Sequence, residues 1–274
     1  MAKMTSSAKR SATIRLTRLC CFTVFFSLLS WMELGGSPAI RHYLPSPILA
    51  PRPDSAKYTI YLSFDDGPLE GSEDIDDAVR KEDIKINVFV VGAHAKINER
   101  LENYYKLYES NPYIEIGNHS FTHAHNHYKQ YYSKPDSVWQ DFEKNQETLH
   151  IKKKLARLPG RNMWRLKDVR INDALTGSKA ADMLYENGYR VFGWDIEWQH
   201  SGETGTPVQT AGEMLEIIER KLKEGKTVKK DHLVLLSHDE MFRNGWEESE
   251  LKELIGLLKA RGIYRFDHLS NYPD

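Results

Sequence analysis

From residue 58 onward, short β-branched or aromatic runs alternate with longer amphipathic stretches, and few folds tolerate that rhythm. Strand-like runs fall at 58–64, 84–91, 113–116, 155–158, 190–194, 232–236 and 263–266. Helical periodicity marks 95–108, 137–150, 179–187, 211–223 and 248–259, with Gly188 and Gly262 standing where two of these helices should stop. A strand followed by a helix followed by a strand is a βαβ unit, so a mainly parallel sheet is predicted. Six or seven such units fit a TIM-like barrel lacking a strand, with a doubly wound open sheet as the competing arrangement. Either way, reactive side chains belong at the C-terminal ends of the strands.

The chain of 274 residues has room for one such domain and an N-terminal extension. Lys3, Lys9, Arg10, Arg15 and Arg18 precede any acidic residue, and an apolar run follows at 19–32. Fourteen helical residues span roughly 21 Å, short of a bilayer core of about 30 Å. This order suits a secretory signal, with Ser37-Pro38-Ala39 as a cleavage site, or an uncleaved signal anchor through 19–32. Residues 1–39 are therefore expected to be a signal peptide or signal anchor, 40–57 a Pro-rich linker, and 58–274 the folded domain. An exported protein, periplasmic or extracytoplasmic, is the expectation. Lys plus Arg number 38 against 39 Asp plus Glu, which gives no electrostatic reason to expect a nucleic-acid partner. The two cysteines, Cys20 and Cys21, are adjacent and near the N-terminus, which excludes a disulfide framework and a cysteine zinc site.

Five segments carry candidate chemistry. The run 58–64 ends in Asp65-Asp66-Gly67-Pro68, two adjacent carboxylates that repel unless a cation lies beside them. The run 113–116 leads into Gly117-Asn118-His119-Ser120-Phe121-Thr122-His123. The four-residue spacing of His119 and His123 predicts one helical face able to grip a metal ion. One carboxylate and two imidazoles form the ligand set of an open catalytic zinc site, or of an iron(II) oxygenase. Only one of the two Asp is needed as a ligand, so the other is free to act as a base. His238 ends the run after Leu236-Ser237 and is placed to act as a general acid. Arg157, before Leu158-Pro159-Gly160, could pair with a site carboxylate, and Gly160 lets a backbone N–H approach a ligand. Finally, Asp195 and Glu197 lie two apart on a strand, and Trp194 and Trp198 could wall a sugar subsite.

In order, these segments resemble the polysaccharide deacetylases with a NodB-homology domain, carbohydrate esterase family 4. Ser63 to Pro68, His119 to His123, and Leu236-Ser237-His238 carry the likeness, which covers about 58–270. The resemblance implies an incomplete TIM-like (β/α)7 barrel and a divalent metal held by Asp66, His119 and His123. Zinc is the metal it favours, with cobalt or nickel as alternatives. It implies Asp65 as the base, His238 as the acid and Arg157 as the tether of Asp65. The chain departs in two places. Gly160 stands where the family has an aromatic residue, and Asp195-Ile196-Glu197-Trp198 is one residue shorter than the usual fourth motif. Either Asp195 or Glu197 is therefore expected to orient His238. The implied activity is removal of N-acetyl groups from amino sugars in an oligo- or polysaccharide such as peptidoglycan, a chitin-like chain or poly-N-acetylglucosamine. The alternatives are a catalytically weak carbohydrate-binding barrel and a hydrolase of another acylated sugar.

Overall fold

A computed structural model describes residues 56–243 and 249–274. The expected signal, and all of the linker but residues 56 and 57, lie outside the described residues. The described residues form ten strands: β1 Tyr58–Asp65, β2 Ile86–Val90, β3 Ile114–Asn118, β4 Leu155–Ala156, β5 Trp164–Arg165, β6 Arg170–Ile171, β7 Arg190–Val191, β8 Ile196–Glu197, β9 His232–His238 and β10 Tyr264–Phe266. The helices are α1 Ser72–Glu82, α2 Gly92–Ala95, α3 Glu99–Ser110, α4 Tyr128–Tyr131, α5 Pro135–Thr148, α6 Ser178–Glu186, α7 Ala211–Lys223 and α8 Glu250–Arg261. None of them is long and apolar enough to cross a membrane.

The sheet runs β6-β5-β7-β4-β3-β2-β1-β9-β8, and β10 shares the edge of β1 with β2. All pairings are parallel except those of β5 with β6 and β7. Arg157, just past β4, hydrogen-bonds Ser63 and Asp65 on β1, although β3 and β2 lie between in the ladder. In a flat sheet those strands would be about 14 Å apart, beyond the reach of one side chain, so the sheet must curl. The expected incomplete barrel is present, and its terminal strands β6 and β8 do not pair with each other.

Parity along the strands sorts the two faces. Ile60, Leu62 and Phe64 of β1 face the helices with Val88, Leu233 and Leu235. Tyr61 faces the barrel interior, which it fills with Phe89, Leu155, Phe192 and Val234. Alternation of period two then carries Ser63 and Asp65 to the same inner side as Tyr61, and His238 to the side of Val234. The middle of these strands is mostly apolar on both faces, as expected of buried parallel strands.

Three expectations need correction. The helix predicted from residue 95 begins at Glu99, because Asn98 caps it by accepting from the Leu101 N–H. The short β5 and β6, antiparallel at the sheet edge, had not been foreseen. His119 and His123 do not share a helical face. Ser120 and His123 have φ of 67° and 50°, so the segment after β3 is an irregular loop entering a 3-10 turn.

Candidate active site

Asp65 ends β1 and is buried, whereas Asp66 leaves the strand at φ 72°. Regular strand geometry would send consecutive side chains to opposite faces. The left-handed residue breaks that alternation, and both carboxylates border one cavity. The His119 loop is pinned from α5. Asn145 Nδ2 donates to Asn118 Oδ1 and to the Val90 carbonyl. Asp141 accepts from the Thr122 amide and hydroxyl and from Tyr131. The His123 amide donates to Ser120 Oγ. With these anchors an irregular backbone holds two imidazoles in place.

His119 Nδ1 donates to the Arg157 carbonyl at 2.8 Å, which leaves its Nε2 free to accept. That Nε2 lies 3.3 Å from Asp66 Oδ1, and His123 Nε2 lies 3.0 Å from the same oxygen. Asp66 Oδ1 is nonetheless buried without a hydrogen-bond partner. Ligands about 2.0–2.1 Å from a tetrahedral ion are about 3.3 Å apart, close to these separations. One oxygen and two nitrogens converging in this way fit a divalent cation. They are the group among the described residues that could hold one. Burial would raise the Asp66 carboxyl, but the two histidines outweigh it and hold it well below the ordinary carboxylate range. His123 is shifted up, since Asp66 overcomes the effect of burial.

Arg157 is fully buried. Its Nη1 donates to Asp65 Oδ1 at 2.8 Å and to Ser63 Oγ at 2.9 Å. Its Nε and Nη2 donate to the carbonyls of Phe192 and Gly193. Burial lowers the guanidinium pKa and Asp65 opposes that shift, and the bond between the two orients the carboxylate. The structure thus brings Arg157 and Asp65 together. Asp65, Asp66, His119, His123, Gly160, Trp194, Glu197 and His238 all line one cavity of about 280 Å³.

Two expected residues lie elsewhere. Trp198 is a core side chain: it is fully buried, packs edge-on against Phe242 and donates to the Gln209 carbonyl. It walls no sugar subsite, because β8 turns it toward the helices. Asp195 uses both carboxylate oxygens on the backbone amides of Val228 and Val234. Its acidity is weakened by burial, to a pKa of about 6, against the pull of those amides. It clasps β8 to β9 and does not orient His238. Of the two candidates, Glu197 is the one that shares the cavity with His238.

Two further residues had no sequence signal. Tyr128 lines the cavity, meets the His123 ring edge-on at 5.9 Å and packs over Gly160. A Cβ on Gly160, whose φ is 60°, would come 3.3 Å from that ring. The missing side chain is thus what lets the tyrosine close the cavity wall. His94 Nδ1 donates to the Asp66 carbonyl at 2.6 Å, and burial shifts its pKa down despite Asp66.

A mainly parallel, open barrel thus gathers a carboxylate pair, two imidazoles and a third histidine around one cavity at its strand ends. Residues 52–166 match the family described as polysaccharide deacetylase. A chitin disaccharide deacetylase from Vibrio alginolyticus is 24% identical over 79% of this chain and 71% of its own length. A family 4 carbohydrate esterase from Streptococcus mutans shares the fold with a TM-score of 0.58 at 19% identity, covering 78% of this chain and 87% of that one. A polysaccharide deacetylase from Bacillus cereus does so at 0.55 and 21%, covering 79% and 94%. The family match thus likens residues 52–166 to the polysaccharide deacetylases, and the solved structures share the fold.

Proposed function

We propose that the protein is a metal-dependent hydrolase that removes N-acetyl groups from amino sugars in an oligo- or polysaccharide. The observation that carries the reading is the convergence of Asp66, His119 and His123 beside an Asp65 clamped by Arg157. A divalent cation held by those three residues, zinc before cobalt or nickel, would supply Lewis-acid chemistry. Asp65 accepts a proton from the water that attacks the acetamide carbon. Arg157 keeps that carboxylate aimed through its Nη1 bond to Oδ1. The Gly160 amide is assigned as a donor to the developing oxyanion. His238 gives a proton to the departing nitrogen as the C–N bond breaks, leaving acetate and a free amino sugar. Trp194 and Tyr128 are assigned to the walls that meet the sugar, while Glu197 shares the cavity with His238, whose Nδ1 is buried without a hydrogen-bond partner.

The named relatives act on chitin disaccharide and on polysaccharides, which supports an N-acetylglucosamine substrate. The apolar segment 19–32 supports export, free or anchored, toward an envelope polymer. Chitin oligomers, peptidoglycan fragments, poly-N-acetylglucosamine and acetylated xylan, each assayed for acetate release with and without chelator, test the proposal. Chelator-sensitive release from an N-acetylated glycan supports it. Binding without release would make the protein a lectin on this barrel, and release from xylan alone would make it an O-esterase.

A further inference from the structure

His94 lies outside the group of residues that could hold the ion, yet it grips the backbone of one of them. Asp66 occupies the left-handed region at φ 72°, which is uncommon for a residue with a side chain although Asp adopts it more readily than most. Two contacts from the segment opening α2 enforce it here. The Val91 amide donates to the Gly67 carbonyl at 2.7 Å, and His94 Nδ1 meets the Asp66 carbonyl at 2.6 Å. A carbonyl can only accept, so Nδ1 carries the hydrogen. The ring is itself held: the His94 amide donates to the Val91 carbonyl, and the Ala93 amide donates to the Phe121 carbonyl of the His119–His123 loop. One short turn therefore fixes the Asp66 backbone and touches the loop that carries both imidazoles. The rings of His94 and His123 stand 6.4 Å apart, tilted by 39°.

We propose that His94 is a positioning residue of the metal centre, its Nδ1–H holding the Asp66 main chain in the conformation that aims the carboxylate at His119 and His123. This rests on the metal-site reading above. Its contribution is geometric: without the donor, Asp66 is free to relax toward right-handed φ, and its carboxylate swings away from the two nitrogens. Partners that orient a ligand from outside the coordination sphere typically change metal affinity 10- to 100-fold.

The experiment titrates zinc into demetallated full-length protein against a chromophoric chelator, for the wild type, His94→Leu and His94→Asn. The asparagine amide places an N–H near the position of Nδ1, whereas leucine fills the space without a donor. Circular dichroism and melting of the apo forms establish that each variant is folded. The expected result is a loss of about 10- to 100-fold in zinc affinity for His94→Leu. Recovery to within about threefold of wild type is expected for His94→Asn, since the donor is restored. A His94→Leu protein that binds zinc like the wild type overturns the positioning role and leaves the metal site standing. A folded His94→Asn protein as weak as His94→Leu also overturns it, because the donor would then be irrelevant. A wild-type chain that takes up no zinc overturns both readings.

Discussion

Replacing Asp65 by Asn keeps the volume and the strand but removes the proton acceptor, and replacing His238 by Ala removes the donor. Each change should lower kcat for acetate release by about 10²- to 10⁴-fold in protein that circular dichroism shows to be folded. Retention of wild-type turnover by either variant would refute the assigned role. Arg157 is a different case. Its removal leaves the buried Asp65 carboxylate without its cation, and Arg157→Leu should cost about 3–5 kcal/mol in urea denaturation. Truncating both partners should cost less than the sum of the single changes, because the unpaired charge is then gone. The carboxylate pair, the two imidazoles and His238 were legible because each follows an apolar run, and a strand end is where such groups are usable. Asp195 and Trp198 misled because the direction in which β8 turns its side chains is set by its pairing with β9, at Ile196 with Leu235. His94 and Tyr128 were invisible because they act across the fold, on residues 28 and 32 positions away.

Elements decide how firmly those side chains are held. Helix α5 carries the His119 loop through Asn145 and Asp141. Asn145→Ala should destabilise the protein by about 1–3 kcal/mol, since it deprives the buried Val90 carbonyl and Asn118 Oδ1 of a donor. It should also weaken zinc uptake measured by chelator competition. Thr210→Ala on α7 is the control: it breaks a capping box and should cost about 1 kcal/mol, with kcat unchanged. Equal losses of zinc affinity in both variants would mean that global stability, not the loop anchor, governs the site. Helices α6, α7 and α8 were readable within one or two residues, from apolar periodicity and from stop signals such as Gly262, which caps α8 at φ 65°. Helix α1 escaped notice because Ser72-Glu73-Asp74-Ile75-Asp76-Asp77 reads as polar, although Ile75, Ala78 and Val79 are buried at helical spacing. The His-x3-His segment imitated a helix because spacing alone does not report φ, and positive φ at Ser120 and His123 is enforced by contacts with α5 and within the loop.

For the whole molecule, the pH dependence of stability tests the buried acid beneath the site. Asp239 is fully buried and accepts from Ser72 and Tyr108, and burial raises its pKa to about 7 even against those bonds. The folded state therefore holds this proton between about pH 4, where an exposed Asp ionises, and about pH 7. Over that window the folded form binds more protons than the unfolded one, so the stabilising contribution is full below about pH 4 and fades as pH rises to about 7. Asp239→Asn, which keeps an acceptor and cannot ionise, should flatten that slope by an amount on the order of 3 kcal/mol across urea melts from pH 4.5 to 7.5. An unchanged slope would show that Asp239 titrates alike in both states. The incomplete barrel was foreseeable from the alternation of strands and helices, and the bond of Arg157 to Asp65 on β1 shows how far the sheet curls. The central claim is that Asp66, His119 and His123 share one ion. Anomalous diffraction at the zinc edge from zinc-loaded crystals measures that directly. The account predicts one strong peak about 2.0–2.2 Å from an Asp66 carboxylate oxygen and from Nε2 of both histidines. A peak bound elsewhere, or none between those three side chains, would contradict it.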